Sequence, residues 1–276
     1  MAFPGIIIDD EVRERVDRLD IRFNRYGLDP YGIDREYVAL FFSLMKQFYR
    51  PYLRVEAHGI EHVPDEGRAM LIGNHSGGVA LDGAMVLTSL ILDKEPPRLG
   101  MGMAEKFINN FPVMSPVINK IGQLTGLPEH AVRLLEDDRM LMVFPEGARG
   151  TSKLYTERNT LVRFGTGFMR LALQTRTPIV PVAFVGGGDA IPTIANLTTV
   201  GKLIGLPYLP ITPWGLVLPR PVKCSIHYGA PMVFEGSGDE ADEVILEYVG
   251  QVKQRVAELL AEGRGLPAPT SPVEVP

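Results

Sequence analysis

His75 stands in the run Gly73-Asn74-His75-Ser76-Gly77-Gly78-Val79-Ala80-Leu81-Asp82, directly after an apolar stretch, residues 69–73. A histidine at the carboxyl end of a buried strand can take a proton near neutral pH. A carboxylate at its other ring nitrogen would fix the tautomer and stabilise the imidazolium. Asp82, at the start of the next helical stretch, can serve as that carboxylate. The glycines allow the backbone to pass close to a substrate. The plainer alternative is a loop histidine beside a helix-capping aspartate. Taken alone, the motif leaves both readings open.

A second constellation is Val143-Phe144-Pro145-Glu146-Gly147-Ala148-Arg149-Gly150. Again a buried strand opens into a turn. The turn accounts for Pro145 and Gly147 but not for Glu146 and Arg149. A guanidinium suits bidentate phosphate recognition. Glu146 would either hydrogen-bond an acceptor hydroxyl or anchor Arg149. The alternative is a surface ion pair beside a turn. A third stretch, residues 178–185 followed by Gly186-Gly187-Gly188, reads by itself as a buried strand with a flexible exit.

These residues need elements to position them. Apolar runs at 69–73, 98–103, 140–144, 178–185 and 222–228 read as strands. Helical stretches at 82–92, 129–136, 162–174 and 240–262 alternate with them. That rhythm argues for an α/β fold with a largely parallel central sheet flanked by helices. Residues 1–54 form an N-terminal helical element, with helices over 9–27 and 35–54. The second of these mixes aromatic and basic residues around Lys46 to Arg54. It is either a core-packed helix with a solvated basic end or an interfacial helix against anionic lipid. Residues 55–262 then make the main domain, and the proline-rich tail 263–276 reads as disordered. The apolar, proline-rich run 191–221 is either a packed irregular excursion or a hydrophobic surface for acyl chains or lipid.

Composition narrows the classes. Apolar residues make up 45% and charged residues 22%, so a sizeable core is possible. A net charge of −5 argues against a nucleic-acid partner. Cys224 is the one cysteine, which excludes an internal disulfide and a cysteine metal cluster. No secretory signal is evident, and no apolar run reaches the roughly 20 residues of a membrane span. The expectation is a cytoplasmic chain that lies peripherally on the inner face of a membrane. A Gly-x-Ser-x-Gly elbow and a phosphate-binding loop are absent, and Gly100-Met101-Gly102 lacks the third glycine of a dinucleotide fingerprint. Gly59 and Pro64 argue against a helix that presents His58 and His62 to a metal, so no metal site is expected.

In this order the motifs resemble those of the glycerolipid acyltransferase family, which includes lysophosphatidic acid and glycerol-phosphate acyltransferases. The resemblance rests on Asn74-His75 with Asp82, on Phe144-Pro145-Glu146-Gly147 with Arg149, and on Val180-Pro181-Val182. It covers about residues 55–235. It implies transfer of a fatty acyl chain from an acyl thioester (acyl-CoA or acyl-ACP) to a hydroxyl of a glycerolipid or other lipid, in lipid metabolism such as phospholipid biosynthesis. His75 would be the general base and Asp82 its orienting partner. Asn74, Ser76, Phe144, Pro145, Glu146, Gly147 and Arg149 would form the substrate-binding set. The partners implied are the thioester donor, a lipid acceptor and a membrane surface. No cofactor beyond the thioester co-substrate is implied, and Ser76 and Cys224 need not be nucleophiles.

Two departures from the family pattern stand out. Six residues separate His75 from Asp82, and the family's shorter spacing would fall on Ala80. The Gly77-Gly78 loop must absorb the excess if Asp82 is the partner. The region 121–128 also lacks the arginine common between the two motifs, and Arg133 lies inside the following helix. The longer spacing, with Leu209-Pro210-Ile211-Thr212-Pro213-Trp214 and Tyr228-Gly229-Ala230-Pro231, looks like members that acylate neutral lipids such as diacylglycerol or long-chain alcohols. The competing class is a non-catalytic lipid-binding or lipid-transfer protein on the same fold.

Overall fold

Near-continuous apolar runs such as Met140–Val143 and Ile179–Val185 suit strands covered on both faces, and both are almost wholly buried. The computed structural model describes residues 8–77, 80–104, 114–125, 128–203, 205–215 and 218–269. In chain order the elements are α1 (Asp10–Asp17), α2 (Arg35–Gln47), β1 (Glu56–His58), β2 (Ala69–Gly73), α3 (Leu81–Leu92), β3 (Gly100–Ala104), α4 (Met114–Lys120) and β4 (Gln123–Thr125). There follow α5 (Pro128–Glu136), β5 (Met140–Val143), α6 (Ala148–Thr151), α7 (Gly167–Thr175), β6 (Ile179–Val185), α8 (Gly187–Ala190) and β7 (Ala195–Leu197). The last are α9 (Thr198–Leu203), β8 (Leu209–Ile211), β9 (Ser225–Tyr228) and α10 (Asp242–Gly263).

The main sheet has seven strands in the order β1-β9-β6-β2-β5-β3-β4. β6, β2, β5, β3 and β4 run parallel, while β9 is antiparallel to β6 and carries β1 parallel to itself. This is the mostly parallel α/β sheet that the alternating pattern predicts. β1 and β4 are three-residue edge strands that carried no legible signal. Pro181 sits inside β6, where its carbonyl accepts from Gly229 N (2.8 Å) just past the end of β9.

The N-terminal segment departs from the sequence expectation at α1. The spacing predicts a helix over 9–27, yet α1 stops at Asp17. Asn24 Oδ1 accepts from the backbone N–H of Tyr26 (2.8 Å) and Leu28 (3.2 Å), and this local turn competes with helical bonding. α2 starts where expected, with the Asp34 carboxylate accepting from Glu36 N (3.0 Å). It ends in a wide π turn, Phe48–Tyr52, that contains Pro51.

Val12, Val16, Val38 and Phe42 of α1 and α2 join one hydrophobic cluster with Met70, Leu71 and Leu141 of the sheet. Two cations of the basic stretch at the end of α2 and just after it are paired. Lys46 meets Asp9 at 2.6 Å and Glu11 at 2.7 Å, and Arg50 meets Asp93 at 2.7 Å. At the other terminus, α10 runs to Gly263, and residues 270–276 of the expected tail lie outside the described residues.

The His227 ring on β9 stacks on His58 of β1 at 4.8 Å between centroids. Burial, and then the neighbouring His58, hold the His227 pKa below 6.5, while Glu262 opposes the shift. The unfolded chain therefore takes up this proton first as the pH falls through 6.5. Stability contributed by neutral His227 is present above that value and is lost below it. The urea midpoint of the native protein should drop between about pH 7 and pH 5, and His227→Gln should show a smaller drop.

Candidate active site

Parallel pairing of β2 with β5 sets the site. The register Ile72↔Val143 brings the carboxyl ends of the two strands level. His75 and Glu146 each follow three residues later, side by side. The Phe144 ring lies flat on the His75 ring, with centroids 4.2 Å apart and an interplanar angle of 8°.

Asp82 closes the gap to His75. Its Oδ2 lies 2.8 Å from His75 Nδ1 and also accepts from Ser76 N at 2.7 Å. Its Oδ1 accepts from Gly83 N at 2.7 Å. The Asp82 side chain is fully buried in the first turn of α3, where the helix N-terminus favours negative charge. A carboxylate only accepts hydrogen bonds, so His75 Nδ1 carries the proton and Nε2 keeps its lone pair. The His75 side chain is 13% exposed and lines a cavity. Gly77 turns the chain with φ +88°, and a Cβ there would come within 2.9 Å of the Gly187 carbonyl oxygen. Gly78 lies outside the described residues.

Glu146 is differently employed from the sequence reading. Its side chain is fully buried, and its partner is Lys153, not Arg149. Lys153 Nζ lies 2.9 Å from Oε2 and 3.2 Å from Oε1. Oε1 also accepts from His75 N (2.8 Å), and Oε2 from Val162 N (2.9 Å). With these donors in place, Glu146 braces the histidine backbone. Asn74 is likewise occupied: it donates from Nδ2 to the Phe184 carbonyl (3.1 Å) and accepts at Oδ1 from Phe184 N (2.8 Å). Ser76 is buried and contributes its N–H to Asp82. The Pro145 carbonyl accepts from Gly165 N (2.9 Å), and Gly147 takes φ +55° to start α6. Arg149 is exposed, with no side-chain ion pair among the described residues.

Sequence reasoning missed Lys153 and Gly150. A Cβ on Gly150 would come within 2.7 Å of both the His75 and the Glu146 Cβ atoms. Only a glycine lets α6 pass this close behind the histidine. The glycine after Arg149 was visible in the sequence; the distant Lys153 carried no mark.

The cavity beside His75 holds about 500 Å³ and is mostly apolar. Ala80, Gly83, Ala84 and Leu87 line it along one face of α3 and the turn before it. At the helical rise these positions span about 10 Å. Met142 and Phe144 contribute from β5 and its exit, Phe41, Ile118 and Ile121 from α2, α4 and the turn after it, and Tyr208 and Pro210 from the excursion. Such a slot, with His75 in its wall, fits an extended apolar chain. Among the described residues no group of three or more His, Cys, Asp or Glu side chains could hold a metal ion. No described helix is long and apolar enough to cross a membrane.

Comparison with known proteins agrees with this geometry. The family model described as Acyltransferase matches residues 54–185. A Mycobacterium tuberculosis protein, named only as uncharacterized, is 33% identical over 248 residues, which is 85% of this chain and 69% of its own. A Gallus gallus protein named as a DGAT1/2-independent enzyme synthesizing storage lipids is 25% identical over 185 residues, 65% of this chain and 52% of its own. The crystal structure of the 1-acyl-sn-glycerophosphate (LPA) acyltransferase PlsC from Thermotoga maritima has the same fold, with a TM-score of 0.54 at 19% identity over 82% of each chain. Residues 54–185 thus form a domain of the acyltransferase family.

The brace behind His75 makes a stability prediction. Lys153→Met leaves Glu146 buried without its cation and should cost about 3 to 5 kcal/mol. Adding Glu146→Gln removes the buried charge and should recover part of that loss, since one of the backbone N–H groups of His75 and Val162 then lacks its acceptor. Urea denaturation of the two single variants and the double variant checks the coupling.

Proposed function

We propose that the chain transfers a fatty acyl group from an acyl thioester, acyl-CoA or acyl-ACP, to the hydroxyl of a lipid acceptor. The observation that carries this reading is His75, with Nδ1 held by a buried carboxylate and its other nitrogen left to act at an apolar slot. Nε2 takes the acceptor hydroxyl proton as that oxygen attacks the thioester carbonyl. Asp82 stabilises the imidazolium formed. The carbon–sulfur bond then breaks, the thiolate receives the proton from His75, and the products are an ester and a free thiol. No covalent acyl-enzyme is required.

The slot along α3 takes the acyl chain. Exposed Arg149 is available to a phosphate on donor or acceptor. A neutral acceptor such as diacylglycerol or a long-chain alcohol is favoured by the His-to-Asp spacing, by the absence of an arginine in 121–128, and by the relative named for storage-lipid synthesis. Both substrates are amphiphiles, so the reaction belongs at a membrane surface, with the chain peripheral to it.

Thiol release from a panel of acyl thioesters, with and without lipid alcohols, tests the reading. His75→Ala should lower turnover by about 10² or more without loss of the folded state. Unchanged function in that variant would point instead to a lipid-transfer protein. Ala84→Leu narrows the slot partway along α3, so it should shift preference towards shorter acyl chains, read as the ratio of kcat/KM between two chain lengths.

A further inference from the structure

The excursion between β6 and β9 has a charge pattern unlike the rest of the chain. No aspartate or glutamate occurs between Asp189 and Glu235, although the chain contains 33 of them. The same stretch carries Lys202, Arg220 and Lys223. Lys223 pairs with Glu56 at 2.7 Å, whereas Lys202 is exposed and makes no ion pair among the described residues.

Its geometry separates an inner face from an outer one. β7 and β8 pair as a small antiparallel sheet with Asn196 opposite Pro210. Directly paired residues point to the same side. Pro210 lines the cavity, and Asn196 Nδ2 donates to the Ser152 carbonyl at 2.6 Å, so this side faces the body of the protein. Strand alternation then sends Leu197 and its partner Leu209 outward. α9 lies against the chain at Tyr208 through Gly201, where an added Cβ would come within 2.5 Å of Tyr208 Cα. Val200 and Leu203 are left in solvent, Leu203 with 86% of its surface exposed. Ile194, Trp214 and Leu218 are exposed on the same excursion, and the Arg220 guanidinium lies 5.7 Å from the Trp214 ring centroid.

We propose that this outer face docks on an anionic lipid bilayer and so holds the cavity against the membrane. Exposed aliphatic side chains can enter the boundary between headgroups and acyl chains, and tryptophan suits headgroup depth. Cations without intervening acids are drawn to anionic lipid. Lys46 at the end of α2 and Arg50 after it, by contrast, are neutralised by Asp9, Glu11 and Asp93. The docking rests on the lipid-handling reading of the cavity but not on the chemistry at His75.

The test is flotation of the full chain with phosphatidylcholine vesicles, with and without phosphatidylglycerol. The native protein should float preferentially with the anionic vesicles. Lys202→Glu combined with Leu203→Glu should weaken that binding about tenfold or more. Leu44→Glu, on the exposed side of α2, should leave it unchanged. Thiol release from a water-soluble short-chain thioester with a water-soluble alcohol as acceptor, measured without vesicles, should be the same in all three proteins. Equal flotation of the Lys202/Leu203 variant would overturn the proposal, as would loss of flotation in Leu44→Glu. A native protein that ignores vesicles but elutes as a dimer, broken by the Lys202/Leu203 variant, would assign the face to a second copy and overturn it too. Absence of thiol release with the flotation pattern intact would defeat the acyl-transfer reading and support the docking.

Discussion

A carboxylate removed from water must be met by donors, and two such groups govern this fold. Asp82 and Glu146 are both fully buried side chains, and they grip His75 from different directions. Asp82 reaches the ring from the first turn of α3, and Glu146 reaches the backbone N–H from the exit of β5. Leaving either without its donors would cost several kcal/mol, so loop, helix and strand exits are tied to one geometry. The pairing of β2 with β5 is therefore a constraint on chemistry as well as on the sheet.

The same arrangement explains where side chains are missing. Gly150 allows α6 to pass behind His75, and Gly83 allows α3 to approach Met142 and Phe144, where a Cβ would lie 3.1 Å from the methionine methyl carbon. α3 is buried along most of its length because it serves two neighbours. Its first turn supplies Asp82, while Gly83, Ala84 and Leu87 form one wall of the apolar slot. Small residues on that face leave the volume in which a chain can lie beside the histidine.

The parts legible in the sequence were those with a strong periodic or chemical signature. Strands buried on both faces announce themselves as apolar runs, and β2, β5 and β6 were found nearly to the residue. His75 and Asp82 are marked as candidates by residue type and by a family pattern, and the long spacing between them leaves their contact open. The structure closes it, since Asp82 meets the His75 ring at Nδ1 and the backbone at Ser76 N. The partner of Glu146 is neither of the two that its sequence surroundings offer. Arg149 lies nearer in sequence, but α6 and the turn after it carry Lys153 inward and leave Arg149 outside. The early end of α1 was also hidden, because the helical apolar spacing runs on past Asp17 while the backbone turns away through short-range bonds such as Leu19 N to Val16 O.

The central claim is that His75 and Asp82 act as one unit. Residues that share a single catalytic task show strongly non-additive losses, whereas independent residues multiply. The most direct measurement is kcat/KM for thiol release in Asp82→Asn, in His75→Ala and in the double variant, each with its folded state verified by circular dichroism. The account predicts that Asp82→Asn loses about 10² or more alone, and that the double variant is hardly worse than His75→Ala. A double variant whose loss is the product of the two single losses would contradict it.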